Sequence, residues 1–318
     1  MRRSGRRRTA RKEPHPFSRL DAHVHLWELA RRGQPWIDPA GMPELARDFG
    51  LVDLRAALAS ADVDAALLVQ VLNDPAETDD YLWLARDPAL LGVVGWVDLI
   101  ADSVEADLIA LQSHPSGSRL VGIRHQALAE SDPAGWLCAA GDRAGFRALA
   151  RSGLAFDLML RPEHLATARQ VAARHDGVQF VLDHAGKAPV AAGWGSPVAR
   201  DWARAVSRLA ELPHVVAKLS GLTTMADPTG WTVADLAPVV EHLLAAFGPE
   251  RLLYGSDWPV SLRAGTYRRT VGAVGELLAG LSPSEQAAVL GGTARRVYRL
   301  DEPTAPKRYA ARPATPSR

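Results

Sequence analysis

Arg19-Leu20-Asp21-Ala22-His23-Val24-His25 reads as a short buried strand that ends in two histidines. Alternate residues of a strand point to the same side, so His23 and His25 share one face with their Cα atoms roughly 6.5 Å apart. That spacing lets two imidazoles converge on one metal ion or one carbonyl oxygen. The texture then repeats. Val63–Val71, Leu91–Leu99, Leu120–Gln126, Leu154–Leu160, Val178–His184, Val215–Gly221 and Leu252–Asp257 are further short apolar runs. Helix-like stretches separate them: Leu51–Ala61, Thr78–Arg86, Ser103–Ser113, Ala140–Ser152, Pro162–His175, Ser196–Leu212 and Leu236–Phe247. Two more helical segments are expected over Ser282–Arg299. Strands that alternate with helices argue for a parallel sheet, and continuous apolar runs suit strands covered on both faces. Eight such units predict an α/β fold of one domain, a distorted TIM (β/α)8 barrel over residues 18–300. An open doubly wound sheet is the rival. It would favour a glycine-rich phosphate loop after an early strand, and neither G-x-G-x-x-G nor a Walker motif occurs.

The 318-residue chain has ample material for a core, with 47% hydrophobic residues and a formal charge of +1. Its overall charge gives no reason to expect nucleic acid, and no window is apolar enough for a membrane span. The single cysteine, Cys138, cannot form an internal disulfide, which predicts a cytoplasmic, reducing setting. The ends differ from the middle. MRRSGRRRTARKEPHP is dense in like charge, so residues 1–17 are expected to form a solvated basic tail, and the Pro-rich residues 301–318 a second one. A partner-binding role for the basic tail would be a different class of function; removal of the tail would then abolish the main activity. Oligomeric state is left open, a homo-oligomer included.

In a β/α barrel the catalytic groups sit at the C-terminal ends of the strands. Strand four ends on Arg124, whose planar fork suits a carboxylate or a set of hydroxyls. Strand five carries Asp157 among apolar residues, either to contact substrate, to orient a neighbour or to pair with Arg124. Strand six ends Asp183-His184-Ala185-Gly186-Lys187. His184 is placed to act as acid, base or electrophile, Lys187 to neutralise an anionic intermediate, and Asp183 to brace the backbone. Lys218 is an unusual polar residue inside strand seven. Strand eight ends on Asp257 and Trp258, where a carboxylate faces strand one across the mouth. The long first connection, residues 26–50, carries Trp27 and Trp36, either as an apolar wall of the pocket or as rim packing.

DAHVHLWE, PWI, GIRHQ, FDLMLRPEHL, FVLDHAGK, VAKLSGL, LLYGSDWPV and GGTARRVY resemble, in this order, the motifs of the amidohydrolase superfamily. The likeness spans about residues 19–300 and is closest to the branch of sugar-lactone and dicarboxylate-lactone hydrolases. That branch includes fuconolactonase, rhamnonolactonase, sulfomuconolactone hydrolase and pyrone-dicarboxylate lactonase. The resemblance implies hydrolysis of a small cyclic ester, a sugar aldonolactone or a muconolactone-like acid. It implies that His23 and His25 bind a metal with Asp257 or polarise the carbonyl directly, that His184 assists, that Asp257 activates water, and that Arg124 orients substrate. Trp27, Trp36, Asp157, Lys187 and Trp258 are the remaining expected substrate contacts. Strand five lacks the histidine that metal-dependent relatives commonly use, so a divalent ion, zinc first, is expected only if two His and one Asp suffice as an open shell. Met225 and Gln34 stand where relatives often carry an acidic and an aromatic residue. The alternative within the superfamily is a metal-dependent decarboxylase acting on an aromatic or enol acid.

Overall fold

The computed structural model describes residues 18–301. Both expected tails lie outside these residues, apart from Asp301. Eight parallel strands run in sequence order around the sheet: β1 Leu20–Val24, β2 Ala65–Val69, β3 Leu90–Gly95, β4 Leu120–His125, β5 Ala155–Leu158, β6 Phe180–Leu182, β7 Val215–Leu219 and β8 Leu252–Tyr254. Each falls inside an apolar run named above or overlaps its edge by one residue. β1 and β8 meet only at their C-terminal ends, where Val24 bridges Trp258 in parallel. His25 N–H donates to the Trp258 carbonyl at 2.7 Å, and Asp257 N–H to that of His23 at 2.9 Å. The Asp21 carboxylate staples the rest of this seam. It accepts from the backbone N–H groups of Ser256 at 2.8 Å and His23 at 3.1 Å and from the Tyr267 hydroxyl at 3.0 Å. Gly255 is required here, because a Cβ would lie 2.7 Å from His23 Cβ.

Alternation sorts the side chains. Leu67, Val69, Val94, Ala155, Val181, Val216 and Leu253 form the inner cluster, closed by Ala294, Val297 and Tyr298 from the last helical segment. Their strand neighbours, such as Leu68, Val93, Phe156, Phe180, Ala217 and Tyr254, pack outward among the helices. By the same parity Arg124, Asp157 and Lys218 point into the barrel. A register shift between Asp21 and Val24 separates Leu20 and Ala22, in the inner cluster, from Val24, in the outer one. That shift brings His23 and His25 inward above them.

Helices Leu51–Ser60, Pro75–Leu84, Val104–Ser113, Leu165–Ala173, Pro197–Ala210 and Val233–Phe247 fill six crossovers much as expected. Two corrections have local causes. The single helix expected over Ala140–Ser152 is two, Pro133–Asp142 and Gly145–Ser152. The first starts at a Pro in the first turn behind the Asp132 cap and stops where Arg143 becomes extended. A helix not expected at all, Tyr267–Leu277, follows strand eight, capped by the Thr266 side chain accepting from Arg269 N–H. Its β-branched and glycine residues mask its propensity, and it delivers Tyr267 to Asp21. Among the described residues no helix is long and apolar enough to cross a membrane.

Candidate active site

Four groups meet at the barrel mouth. His23 Nε2 and His25 Nε2 lie 3.1 Å apart. Asp257 Oδ1 is 3.4 Å from His25 Nε2, 3.9 Å from His23 Nε2 and 4.0 Å from His184 Nε2. All four side chains are buried. The structure therefore brings together the histidine pair, His184 and Asp257, which the sequence placed at the ends of strands one, six and eight.

Backbone geometry aims the two later groups. His184, Ala185, Gly186 and Lys187 all hold positive φ, between 51° and 63°, and Asp257 has φ 59°. Left-handed conformations cost a non-glycine residue about 1–2 kcal/mol each and concentrate at functional sites. The turn is held by Lys187 N–H donating to the His184 carbonyl at 2.8 Å and by Trp202 Nε1–H donating to that of Ala185 at 2.8 Å. Ser220, at the end of β7, finishes the job. Its Oγ accepts from His184 N–H at 3.2 Å and lies 2.9 Å from Nδ1. The hydroxyl proton is then free to bond Nδ1, which leaves Nε2–H as a donor toward the mouth.

The histidine pair is oriented as firmly. His25 Nδ1 faces the Val69 carbonyl at 2.8 Å, so it carries the proton and Nε2 the lone pair. Arg124 Nη1, which can only donate, lies 3.2 Å from His23 Nε2, and Asp183 Oδ1, an acceptor, 3.3 Å from His23 Nδ1. The donor-only Lys218 ammonium also lies 3.2 Å from His23 Nδ1, so His23 has donors at both ring nitrogens and only His25 has its tautomer fixed by a single partner. Burial pushes the pKa of all three imidazoles down, His184 to about 3, so they stand neutral at pH 7. Burial pushes the Asp257 carboxyl up; against it His184, His25 and His23 lower it, a pull those rings exert only when protonated, and the net direction is down.

Two facing imidazole nitrogens and a carboxylate form a group that could hold a cation, although Arg124 Nη1 also lies 3.2 Å from His23 Nε2 and would have to turn away from it. Tetrahedral zinc with bonds near 2.0–2.1 Å separates its ligand atoms by about 3.3–3.4 Å. The observed 3.1, 3.4 and 3.9 Å fit His23, His25 and Asp257 around one divalent ion with a position left open. Asp183, with His23 and His184, forms a second group close enough for a metal. There Lys218 Nζ already stands 3.2 Å from His23 Nδ1 and 2.9 Å from Asp183 Oδ1, so that side holds a cation of its own.

Other expected contacts lie elsewhere. Asp157 is below the mouth, its oxygens bound by Lys218 at 2.5 Å and the Tyr298 hydroxyl at 2.7 Å; it does not pair with Arg124. Arg124 is sealed inside, donating to Asp183 Oδ2 at 3.1 Å and to the Gln70 carbonyl. Asp183 does not brace the backbone but turns its carboxylate to Arg124, Lys218 and His23. Trp36, Trp27, Phe49 and Trp258 form an edge-to-face series with centroids 5.7, 5.3 and 5.4 Å apart. Trp27 and Trp258 are buried in it, so they lock the 26–50 loop onto the rim. Trp36 is half-buried, its Nε1–H donating to Gln34 Oε1 at 2.9 Å. Lys187 is half-buried at the mouth, its ammonium in the field of Asp257 and Asp183. His164 stays in the turn after β5, where Nδ1 accepts from Arg161 N–H at 3.4 Å. A cavity of about 750 Å³ lies on the flank, lined by Trp27, Arg32, Phe49, Glu77, Tyr81 and Trp83 among others. It holds none of the four mouth groups. Asp183, Ser220 and Gln70 are the contributors to the mouth that strand-end reading missed.

The amidohydrolase family model matches residues 20–300. L-fucono-1,5-lactonase from Burkholderia multivorans is 39% identical over 294 residues, which covers 90% of this chain and 97% of that protein. The L-fucono-1,5-lactonase of Burkholderia ambifaria is 36% identical over 297 residues, with the same coverage. A crystal structure of an amidohydrolase from Burkholderia multivorans with bound zinc superposes with a TM-score of 0.81 at 35% identity, covering 89% of this chain and 99% of that one. With a barrel in strand order and a His-x-His pair facing a strand-eight aspartate, this chain belongs to the amidohydrolase family.

Proposed function

We propose that the protein hydrolyses the ring ester of a small lactone, with a sugar aldonolactone of the L-fucono-1,5-lactone type as first candidate. The observation that carries this reading is Asp257: a buried carboxylate within 4.0 Å of three buried imidazoles. Near-full-length relatives at 36–39% identity that carry the lactonase name support the substrate class.

The Asp257 carboxylate accepts a proton from a water molecule at the mouth, and the hydroxide so formed attacks the ester carbonyl carbon. His184 donates its Nε2–H to the carbonyl oxygen as that oxygen becomes an anion. Lys187 adds positive charge on the same side. Asp257 then returns its proton to the ring oxygen as the C–O bond breaks, which leaves an open hydroxy acid. His23, His25 and Asp257 would hold a divalent ion, zinc by this donor set, which would supply Lewis acidity at the carbonyl. Positioned proton transfer of this kind contributes roughly 10²–10⁴-fold, and oxyanion donors about 10²–10³-fold each.

The test is a panel of aldonolactones and muconolactone-like acids followed with a pH indicator, beside metal analysis of the purified protein. Acid release from an aldonolactone, without CO₂ release from aromatic or enol acids, is expected. CO₂ release with no acid from any lactone would replace this reading with the decarboxylase.

A further inference from the structure

Near the end of β4 the Arg124 side chain is only 1% exposed, and both terminal nitrogens of its guanidinium are engaged. Nη1 lies 3.2 Å from His23 Nε2 and donates to Asp183 Oδ2 at 3.1 Å. Nη2 donates to the Gln70 carbonyl and to Gln70 Oε1 at 3.3 Å. Gln70, wholly buried at the end of β2, grips the same residue a second time. Its Nε2 donates to the Arg124 carbonyl at 3.1 Å and to Asn73 Oδ1 at 3.4 Å. A guanidinium only donates and a carbonyl only accepts, so both ends of the Gln70 amide have one assignment. The fork so held aims an N–H at a nitrogen that a metal would need. Arginine does not lose its proton in proteins, so movement alone can break that contact.

We propose that Arg124 guards the metal position: its guanidinium and a divalent ion are alternative partners of His23 Nε2, and Gln70 is the positioning residue that holds the fork there. One ring nitrogen can serve a guanidinium or a metal ion, not both at once. Zinc would bond that nitrogen at about 2.0–2.1 Å, and a fixed cation beside it repels the ion. The Lys218 ammonium stands 3.2 Å from the other nitrogen of the ring, so an arriving ion shares His23 with two buried cations. Entry requires the fork to leave His23 while Gln70 and Asp183 still hold it, at the cost of a charge-assisted contact. The site therefore binds a divalent ion more weakly than two histidines and a carboxylate would without Arg124. The inference rests on His23, His25 and Asp257 as the metal group and not on the identity of the lactone.

The test titrates the full-length protein, freed of metal with a chelator, with zinc by calorimetry and with cobalt by visible absorption, which reports imidazole ligation. Arg124→Gln removes the charge and the fork. Arg124→Lys keeps the charge, but its shorter reach and single ammonium cannot span Gln70, Asp183 and His23 together. Gln70→Met removes the side-chain grip, leaves every charge in place and keeps the test open if the Arg124 variants fail to fold. His25→Ala serves as the blank for zinc bound elsewhere. Both Arg124 variants are expected to bind zinc about 10–100-fold more tightly than wild type, the range given by loss of one hydrogen bond to a charged group. Gln70→Met should move affinity the same way by a smaller factor. Wild-type affinity in Arg124→Lys would overturn the proposal, because the charge alone would then matter and not the contact with His23. Weaker binding in Arg124→Gln would overturn it too, since Arg124 would then support the ion. So would zinc binding in wild type and all variants no better than in the blank. None of these readouts uses a substrate, so loss of the guard would leave lactone hydrolysis by Asp257 to be judged by its own assay.

Discussion

Gly221 follows Ser220 with φ 64°, and a Cβ there would lie 2.9 Å from His184 Nδ1 and 3.1 Å from His184 Cβ. A left-handed conformation and close approach to a catalytic ring both demand glycine. Gly221→Ala should lower stability by about 1–2 kcal/mol through backbone strain. It should lower kcat by more than stability explains, on the order of 10²-fold, because displacement near 1 Å in a site costs that much. Thermal melts and steady-state kinetics on the same sample would check it; wild-type kcat in a folded variant would contradict the role given to the turn. Several mouth residues were legible in sequence for a physical reason. Polar side chains that close apolar strands violate the pattern, and His23, His25, His184 and Asp257 do so at strand ends. Asp183 and Ser220 follow the same pattern but have many bland uses beside a turn, and only their neighbours assign them. Arg124 reads from sequence as a group at the rim and Asp157 as one among apolar strand residues; the structure buries both inside the barrel, with other partners than expected. The pairing of Asp157 with Lys218 joins residues 61 positions apart, which no local spacing reveals.

Helix Pro75–Leu84 sends Glu77 back toward the end of β2, where one carboxylate oxygen accepts from Val71 N–H at 2.7 Å and Leu72 N–H at 2.9 Å. Burial raises its pKa from 4.5 to about 7, against the pull of those two donors and of Arg32. A carboxyl raised in the folded state contributes stability that is complete below its unfolded pKa. That stability is lost as pH rises through the folded value. The loss falls between about pH 4.5 and 7 and amounts to about 3 kcal/mol at 1.36 kcal/mol per pK unit. Glu77→Gln keeps the acceptor and removes the charge. Denaturation curves at pH 5 and pH 8 should give near-equal stabilities at pH 5 and a more stable variant at pH 8. Parallel curves at both pH values would contradict the assignment. Among elements, the strands were the most legible, because burial on both faces leaves near-continuous apolar runs. The Tyr267–Leu277 helix was not, since Val271, Gly272, Val274 and Gly275 suppress helix propensity and only packing at the β1–β8 seam recovers it.

The barrel as a whole stacks three layers along its axis. An apolar floor closed by Ala294, Val297 and Tyr298 carries a charged layer of Asp157, Lys218, Asp183 and Arg124, and above it sits the mouth of His23, His25, His184 and Asp257. Counting eight strand–helix units was enough to foresee the barrel. It could not foresee the middle layer, which exists only once β4, β5, β6 and β7 face one another. Nor could it place the long 26–50 loop, whose aromatic series packs onto the rim while Trp27 and Phe49 also line the flank cavity. The proposed chemistry nevertheless turns on one carboxylate, that of Asp257. The direct measurement is kcat/KM for an aldonolactone with wild type and Asp257→Asn, each shown to be folded by the same melting curve. A fall of about 10²–10⁴-fold is expected for loss of the group that takes and returns the proton. Hydrolysis at the wild-type rate by the folded Asn variant would contradict the mechanism.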